Sequence, residues 1–204
     1  LFPYTTLFRS HWCYTSYVID GKRKEVQSLF SKMNNLEKRR KPLEGSDFGK
    51  TWLGNLVIKL GADWHEVYCR GAWSELDWNG SILRFNTETA NGPMNEVFKL
   101  IKSIYPSLEI YYQAEEDGWG LFITNDAEGR YFRDRFRIEY DCGFEYFTTI
   151  EGVCTYVSGI IGKEVKTKEE VQLGIEDWND NLDMEDDDLR IYLNEYKIVT
   201  DEHL

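Results

Sequence analysis

The sequence predicts an α+β fold: a ferredoxin-like split βαβ sheet with an added hairpin and a C-terminal helical and acidic extension. Three observations carry this. Apolar residues recur at helical spacing in two stretches: Val26, Leu29, Phe30, Met33 and Leu36, then Val97, Leu100, Ile101 and Ile104. Strand-like runs lie before, between and after them, and in one of these Leu108, Ile110, Tyr112 and Ala114 alternate with Glu109, Tyr111, Gln113 and Glu115. The resulting order, strand, helix, strand, strand, helix, strand, is that of the split βαβ unit. Two helices then cover one sheet face and leave the other free.

Each element has a local reason. Residues 12–20 (WCYTSYVID) are aromatic and β-branched and stop at Asp20-Gly21. The first helix ends near Lys38 to Lys41, whose charges suit its negative end, and Pro42 prevents continuation. Gly45, Ser46 and Gly49 mark a loop, and Trp52, Leu56, Val57 and Leu60 an inserted helix over 51–61. Residues 67–73 and 81–89 read as strands joined through Asp77-Trp78-Asn79-Gly80, whose Asn-Gly pair suits a hairpin turn. Gly92-Pro93 stands at the start of the second helix, where a missing N–H costs nothing, and Pro106 ends it. Residues 120–124 and 131–140 form the added hairpin. Ile150, Val153, Val157, Ile160 and Ile161 mark a further helix, and Thr167-x-x-Glu170 is a capping box opening the next, with Val171, Ile175 and Trp178. A last strand lies within 189–199. The domain boundaries expected are 11–140 for the ferredoxin-like domain and 141–204 for an extension packed on it.

Residues 1–10, LFPYTTLFRS, match the translation of a short-read sequencing adapter residue for residue. They are read as an adapter-derived scar, so the fold reading starts at His11. No apolar run reaches the ~18 residues of a membrane span. Cys13, Cys69, Cys142 and Cys154 form no C-x-x-C pair, which favours buried thiols in a reducing cytoplasm. The net charge of −12 is unevenly placed: 22–41 holds eight basic and two acidic residues, 164–204 fourteen acidic and four basic. Such acidity disfavours nucleic acid, whose phosphates must be met by Lys and Arg.

No motif supplies a nucleophile, a phosphate-cradling loop or a cofactor site. Glu88, Glu115, Glu116 and Asp117 are candidates to meet at one sheet end, where paired carboxylates divide acid and base roles or take a hard cation. Trp119, between Gly118 and Gly120, is the best candidate for an exposed aromatic. Asp177-x-Asn179-x-Asn181 with Asp188 twelfth imitates a calcium loop, but Leu182 replaces its glycine and Asp188 its bidentate Glu. His65 reads as a surface or capping histidine. With Leu83 and Phe85 under the helices, the free sheet face carries Arg84, Asn86, Glu88, Glu109, Tyr111, Gln113 and Glu115, an acidic surface with one aromatic.

Three places resemble the YubB-type ferredoxin-like domain proteins of plasmids, phages and conjugative elements. Trp12-Cys13 opens the first strand. Phe85-Asn86-Thr87-Glu88-Thr89, then Gly92-Pro93 and a helix ending at Tyr105-Pro106, resembles the family's central block. Residues 111–120, ending in Gly118-Trp119-Gly120, resemble its next strand and turn. Thr89-Ala90-Asn91 stands where many relatives carry an aromatic. The resemblance implies a fold and a mobile-element setting, but no activity and no catalytic residues.

The expectation is therefore a non-enzymatic module binding a host or element-encoded protein. Its acidic segment, with Asp186, Asp187 and Asp188, would imitate DNA phosphates. The alternatives are a carboxylate-dependent hydrolase at Glu88 and Glu115/Glu116, and nucleic-acid binding through the basic helix of 22–41.

Overall fold

The computed structural model describes residues 11–141, 143–183 and 189–200. The fold is α+β, and the chain divides into two compact units. Among the described residues the first comprises 11–125 with 199 and 200, the second those of 126–198. The chain thus leaves the first unit at Asn125 and re-enters it at Val199, whose N–H donates to the Thr124 carbonyl at 2.9 Å.

The first unit contains β1 (Trp12–Asp20), α1 (Arg23–Glu37), α2 (Leu53–Leu60), β2 (Gly71–Trp78), β3 (Leu83–Ala90), α3 (Asn95–Ile104), β4 (Glu109–Glu116) and β5 (Leu121–Thr124). Its strands lie in the order β2-β3-β1-β4-β5, and each neighbouring pair is antiparallel. The period-2 pattern sends Tyr17 and Ile19 of β1, Leu83 and Phe85 of β3, and Ile110 and Tyr112 of β4 to one side. There they join Val26, Leu29 and Met33 of α1, Leu53, Leu56 and Val57 of α2, and Val97, Phe98 and Ile101 of α3 in one core. Tyr17 sits at its centre, with its ring 4.3 Å from Phe98 and 5.2 Å from Phe85.

Several local expectations need correction. Ile104, placed on the buried face of α3, is exposed; it is the last helical residue, and Tyr105 turns inward instead, with its hydroxyl 3.0 Å from Ser28 Oγ. Pro93 precedes the α3 cap, Met94, rather than opening the helix. The strand expected over 67–73 begins only at Gly71. Upstream of it, backbone groups that a ladder would need are taken by side chains: Trp52 Nε1–H donates to the Cys69 carbonyl at 3.0 Å, and the Tyr68 N–H donates to Glu96. At the end of α1 the expectation holds, since Lys38 is its C-cap and Arg39, Arg40 and Lys41 follow; Lys50 Nζ also donates to the Glu37 carbonyl of the last turn at 2.7 Å.

The second unit contains β6 (Phe136–Tyr140), β7 (Gly143–Phe147), α4 (Ile150–Ile161), α5 (Lys168–Asp180) and β8 (Tyr192–Glu195), with strand order β7-β6-β8. Its core joins Phe136 and Ile138 to Val153, Val157, Val171, Ile175 and Ile191. The Thr167 hydroxyl accepts the Glu170 N–H at 3.2 Å, as the capping box requires, and Glu170 returns a carboxylate to the Lys166 N–H at 2.7 Å. Thr149 caps α4 in the same manner.

The hairpin expected between 120–124 and 131–140 does not form. Strand β5 pairs with β4, whereas β6 pairs with β7 and β8. The cause is Asp126, which is 1% exposed. Its carboxylate accepts the N–H groups of Arg130 (3.0 Å), Tyr131 (2.6 Å) and Phe132 (2.8 Å), while Arg135 donates to its carbonyl at 2.8 Å. This ties 126–135 into a knot instead of a two-strand turn. Burial pushes the Asp126 carboxyl up, but the three N–H donors and the Arg135 charge outweigh it and hold the group below its ordinary value.

Candidate functional site

The alternation of β4 decides the fate of the carboxylates. Glu115 lies on the free sheet face, whereas Glu116 points to the other side and is 3% exposed. Its oxygens are occupied: Oε1 accepts the Gly118 N–H (2.9 Å) and lies 3.0 Å from His11 Nδ1, and Oε2 accepts the Trp119 N–H (2.7 Å). Glu116 therefore builds the β4–β5 turn. Trp119 stands out from that turn, 66% exposed, its indole 5.0 Å from the His11 ring.

Glu88 and Glu115 share the free face and sit opposite the same residue, Tyr14 of β1. Two strand spacings, about 10 Å, therefore separate their backbones. Tyr14 donates to Glu88 Oε1 at 3.3 Å and is itself exposed. The Glu88 charge, then partial burial, lifts the Tyr14 phenol above its ordinary value. In this row of carboxylate, phenol and carboxylate Glu88 and Tyr14 are exposed and Glu115 is half-buried.

The other candidates resolve separately. Asp177 and Asn179 lie within α5, so they cannot form a calcium loop; the Asn179 side chain instead brackets Ile191, accepting its N–H and donating to its carbonyl, both at 2.9 Å. Asp186, Asp187 and Asp188 lie outside the described residues, as do residues 1–10 and Cys142. Among the described residues no three His, Cys, Asp or Glu side chains converge as metal ligands, and no helix is long and apolar enough to cross a membrane. The basic residues of 22–41 divide between the start of α1 (Lys22, Arg23, Lys24) and the segment after it (Lys38 to Lys41), about 22 Å apart for a fifteen-residue helix, with Lys32 alone between them.

Sequence reasoning missed two features. The first is a cleft of about 840 Å³ in the first unit, lined by Asp47, Phe48, Trp52, Trp64, His65 and Tyr68 among others. Asp63, overlooked as a partner of His65, accepts both its backbone N–H (3.0 Å) and Nδ1 (2.8 Å), and the His65 ring stacks on Trp64 at 3.8 Å. Cys69 also lines the cleft, but burial, with the Glu96 charge adding to it, pushes its thiol up to about 11. A neutral thiol that donates to the Trp64 carbonyl is structural, not nucleophilic.

The second feature is the outer face of the β7-β6-β8 sheet. Register places Tyr146, Arg137 and Asn194 in one row and Phe144, Glu139 and Tyr192 in the next. Phe144, Tyr146 and Tyr192 are 50%, 44% and 50% exposed, whereas Arg137 at the centre is 2% exposed. The Arg137 guanidinium lies 3.9 Å from the Phe144 ring centroid and 3.6 Å from Glu139. The signal was present as the alternation Phe144-Glu145-Tyr146, but β7 and β8 are too short for a periodicity to declare itself.

Set against known proteins, the chain matches no family model, no curated protein and no solved structure.

Proposed function

We propose that this chain is a non-catalytic protein-interaction module whose contact surface is the outer face of the β7-β6-β8 sheet. The observation that carries the reading is three exposed aromatic rings around a nearly buried arginine. Tyr, Phe and Arg are the residues enriched in interface cores, and an apolar patch with a polar rim marks a contact surface. Over 126–198 there are nineteen acidic and nine basic residues. The partner is therefore a protein with a basic surface, of the kind that otherwise faces nucleic-acid phosphates.

The strand order β2-β3-β1-β4, with α1 and α3 on one side, supports reading the first unit as ferredoxin-like, the fold that the YubB-type resemblance implies. Burial of Cys13, Cys69 and Cys154 as free thiols supports a reducing cytoplasmic setting. The hydrolase alternative has little to stand on, with Glu88 and Glu115 two strands apart and Glu116 committed to a turn.

The test is a quantitative pull-down with three baits: the natural chain, Phe144→Ser/Tyr192→Ser, and Glu88→Gln/Glu115→Gln. Loss of a salt-sensitive basic partner from the second bait alone supports the proposal. Equal recovery by the first two baits would remove it.

A further inference from the structure

We infer that the cleft of the first unit binds an organic cation, namely a quaternary ammonium group. Its volume, about 840 Å³, is that of a small-molecule site. Aromatic rings form much of its wall: Phe48, Trp52, Trp64 and Tyr68. They are held by contacts that do not depend on a ligand. Trp52 meets Trp64 edge-on at 4.9 Å and anchors its indole N–H on the Cys69 carbonyl. Phe48 meets Trp12 edge-on at 6.0 Å, and the Tyr68 hydroxyl donates to the Ala90 carbonyl at 3.4 Å.

The charges select the sign of the ligand. Among the described lining residues Asp47, Glu66 and Glu96, the last already accepting the Tyr68 N–H, stand against the guanidinium of Arg70, while His65, also in the lining, is bound to Asp63. Ring faces carry negative quadrupole density, so aromatic walls and carboxylates favour the same kind of guest. An inorganic cation gains little from rings and would need converging oxygen ligands. A methylated ammonium, weakly hydrated and apolar on its surface, gains from both. The inference is independent of the proposed protein-binding face, which belongs to the other unit.

The probe is choline, compared with its neutral isostere 3,3-dimethylbutan-1-ol and with the anion benzoate, by isothermal titration of the full chain. Choline should bind at least about tenfold tighter than the isostere. Glu66→Gln and Tyr68→Ala alter exposed side chains and leave the core intact, and each should weaken choline about three- to tenfold. Trp119→Leu, outside the cleft, should not change it. Equal binding of choline and the isostere, preference for benzoate, or no choline signal at about 10 mM would each overturn the inference.

Discussion

The two sheets of this molecule solve the same problem with opposite chemistry. Each has one face buried against helices and, on the other face, exposed side chains of a different kind. On the first unit the part of that face around Tyr14 is polar: Glu88 and Glu115 stand opposite it, Asn86 and Gln113 lie one step along, and Glu88 occupies its phenol, while Val18 and Phe122 on the same face are 4% exposed. On the second unit it is aromatic, with Phe144, Tyr146 and Tyr192 packed around Arg137. The period-2 alternation that builds a sheet is indifferent to what its outer residues are. The polar stretch around Tyr14 is at home in water, whereas the second face exposes apolar surface that burial would stabilise by ~25 cal/mol per Å².

The largest expected effect follows from one arginine on each of these faces. Arg137→Ala removes a nearly buried side chain together with its Phe144 and Glu139 contacts. It should destabilise the second unit by about 2–4 kcal/mol in urea unfolding, whereas Arg84→Ala, on the exposed face, should stay within about 0.5 kcal/mol. Similar small losses for both would erase the distinction between the faces.

Next comes Asp126→Asn. A neutral amide cannot replace three charge-assisted N–H contacts, and the loss should be about 2 kcal/mol at pH 7. Because folding holds the Asp126 carboxyl below its ordinary value, its contribution is complete above the unfolded-state pKa, about 3.9, and disappears as pH falls through the lower folded value. The natural protein should therefore lose stability on acidification below about pH 4 more steeply than the variant. Parallel pH curves would contradict this account.

Glu116→Gln and Glu115→Gln test the alternation within one strand. The former should cost about 1 kcal/mol through weakened contacts to the Gly118 and Trp119 N–H groups, the latter less than about 0.5 kcal/mol. The smallest effect is spectroscopic. Glu88→Gln should lower the titration midpoint of Tyr14 toward an ordinary phenol, read by NMR, without changing the fold.

Much of the first unit was legible because its signals are local. Val26, Leu29 and Met33 mark one side of a helix, Leu108 to Glu115 alternate, and Pro106 directly follows the cap of α3, whereas α1 is already capped at Lys38 before Pro42 could stop it. The false hairpin was not avoidable in that manner. Residues 131–140 read as a strand partner for 120–124 because nothing near Asp126 announces that its carboxylate will gather N–H groups four to six positions ahead. The carboxylate cluster was half legible, since alternation alone separates Glu115 from Glu116. The cleft was illegible because Phe48, Trp52, Trp64 and Tyr68 come from loops and a short helix with no common period. Trp52 Nε1–H and Glu96 then convert an apparent strand into its wall.

The hydrogen bond from Val199 to Thr124 has a consequence for how the gene can be rearranged. The point where the chain departs and the point where it comes home are neighbours in space. A short glycine bridge from Asn125 to Lys197 would close the host with little loop-closure entropy and keep Lys197–Ile198, which complete its sheet beside β5, so that 126–196 becomes a cassette to be excised, exchanged or transplanted into another host loop. The aromatic surface is then a portable property of the guest, separable from the scaffold that carries it.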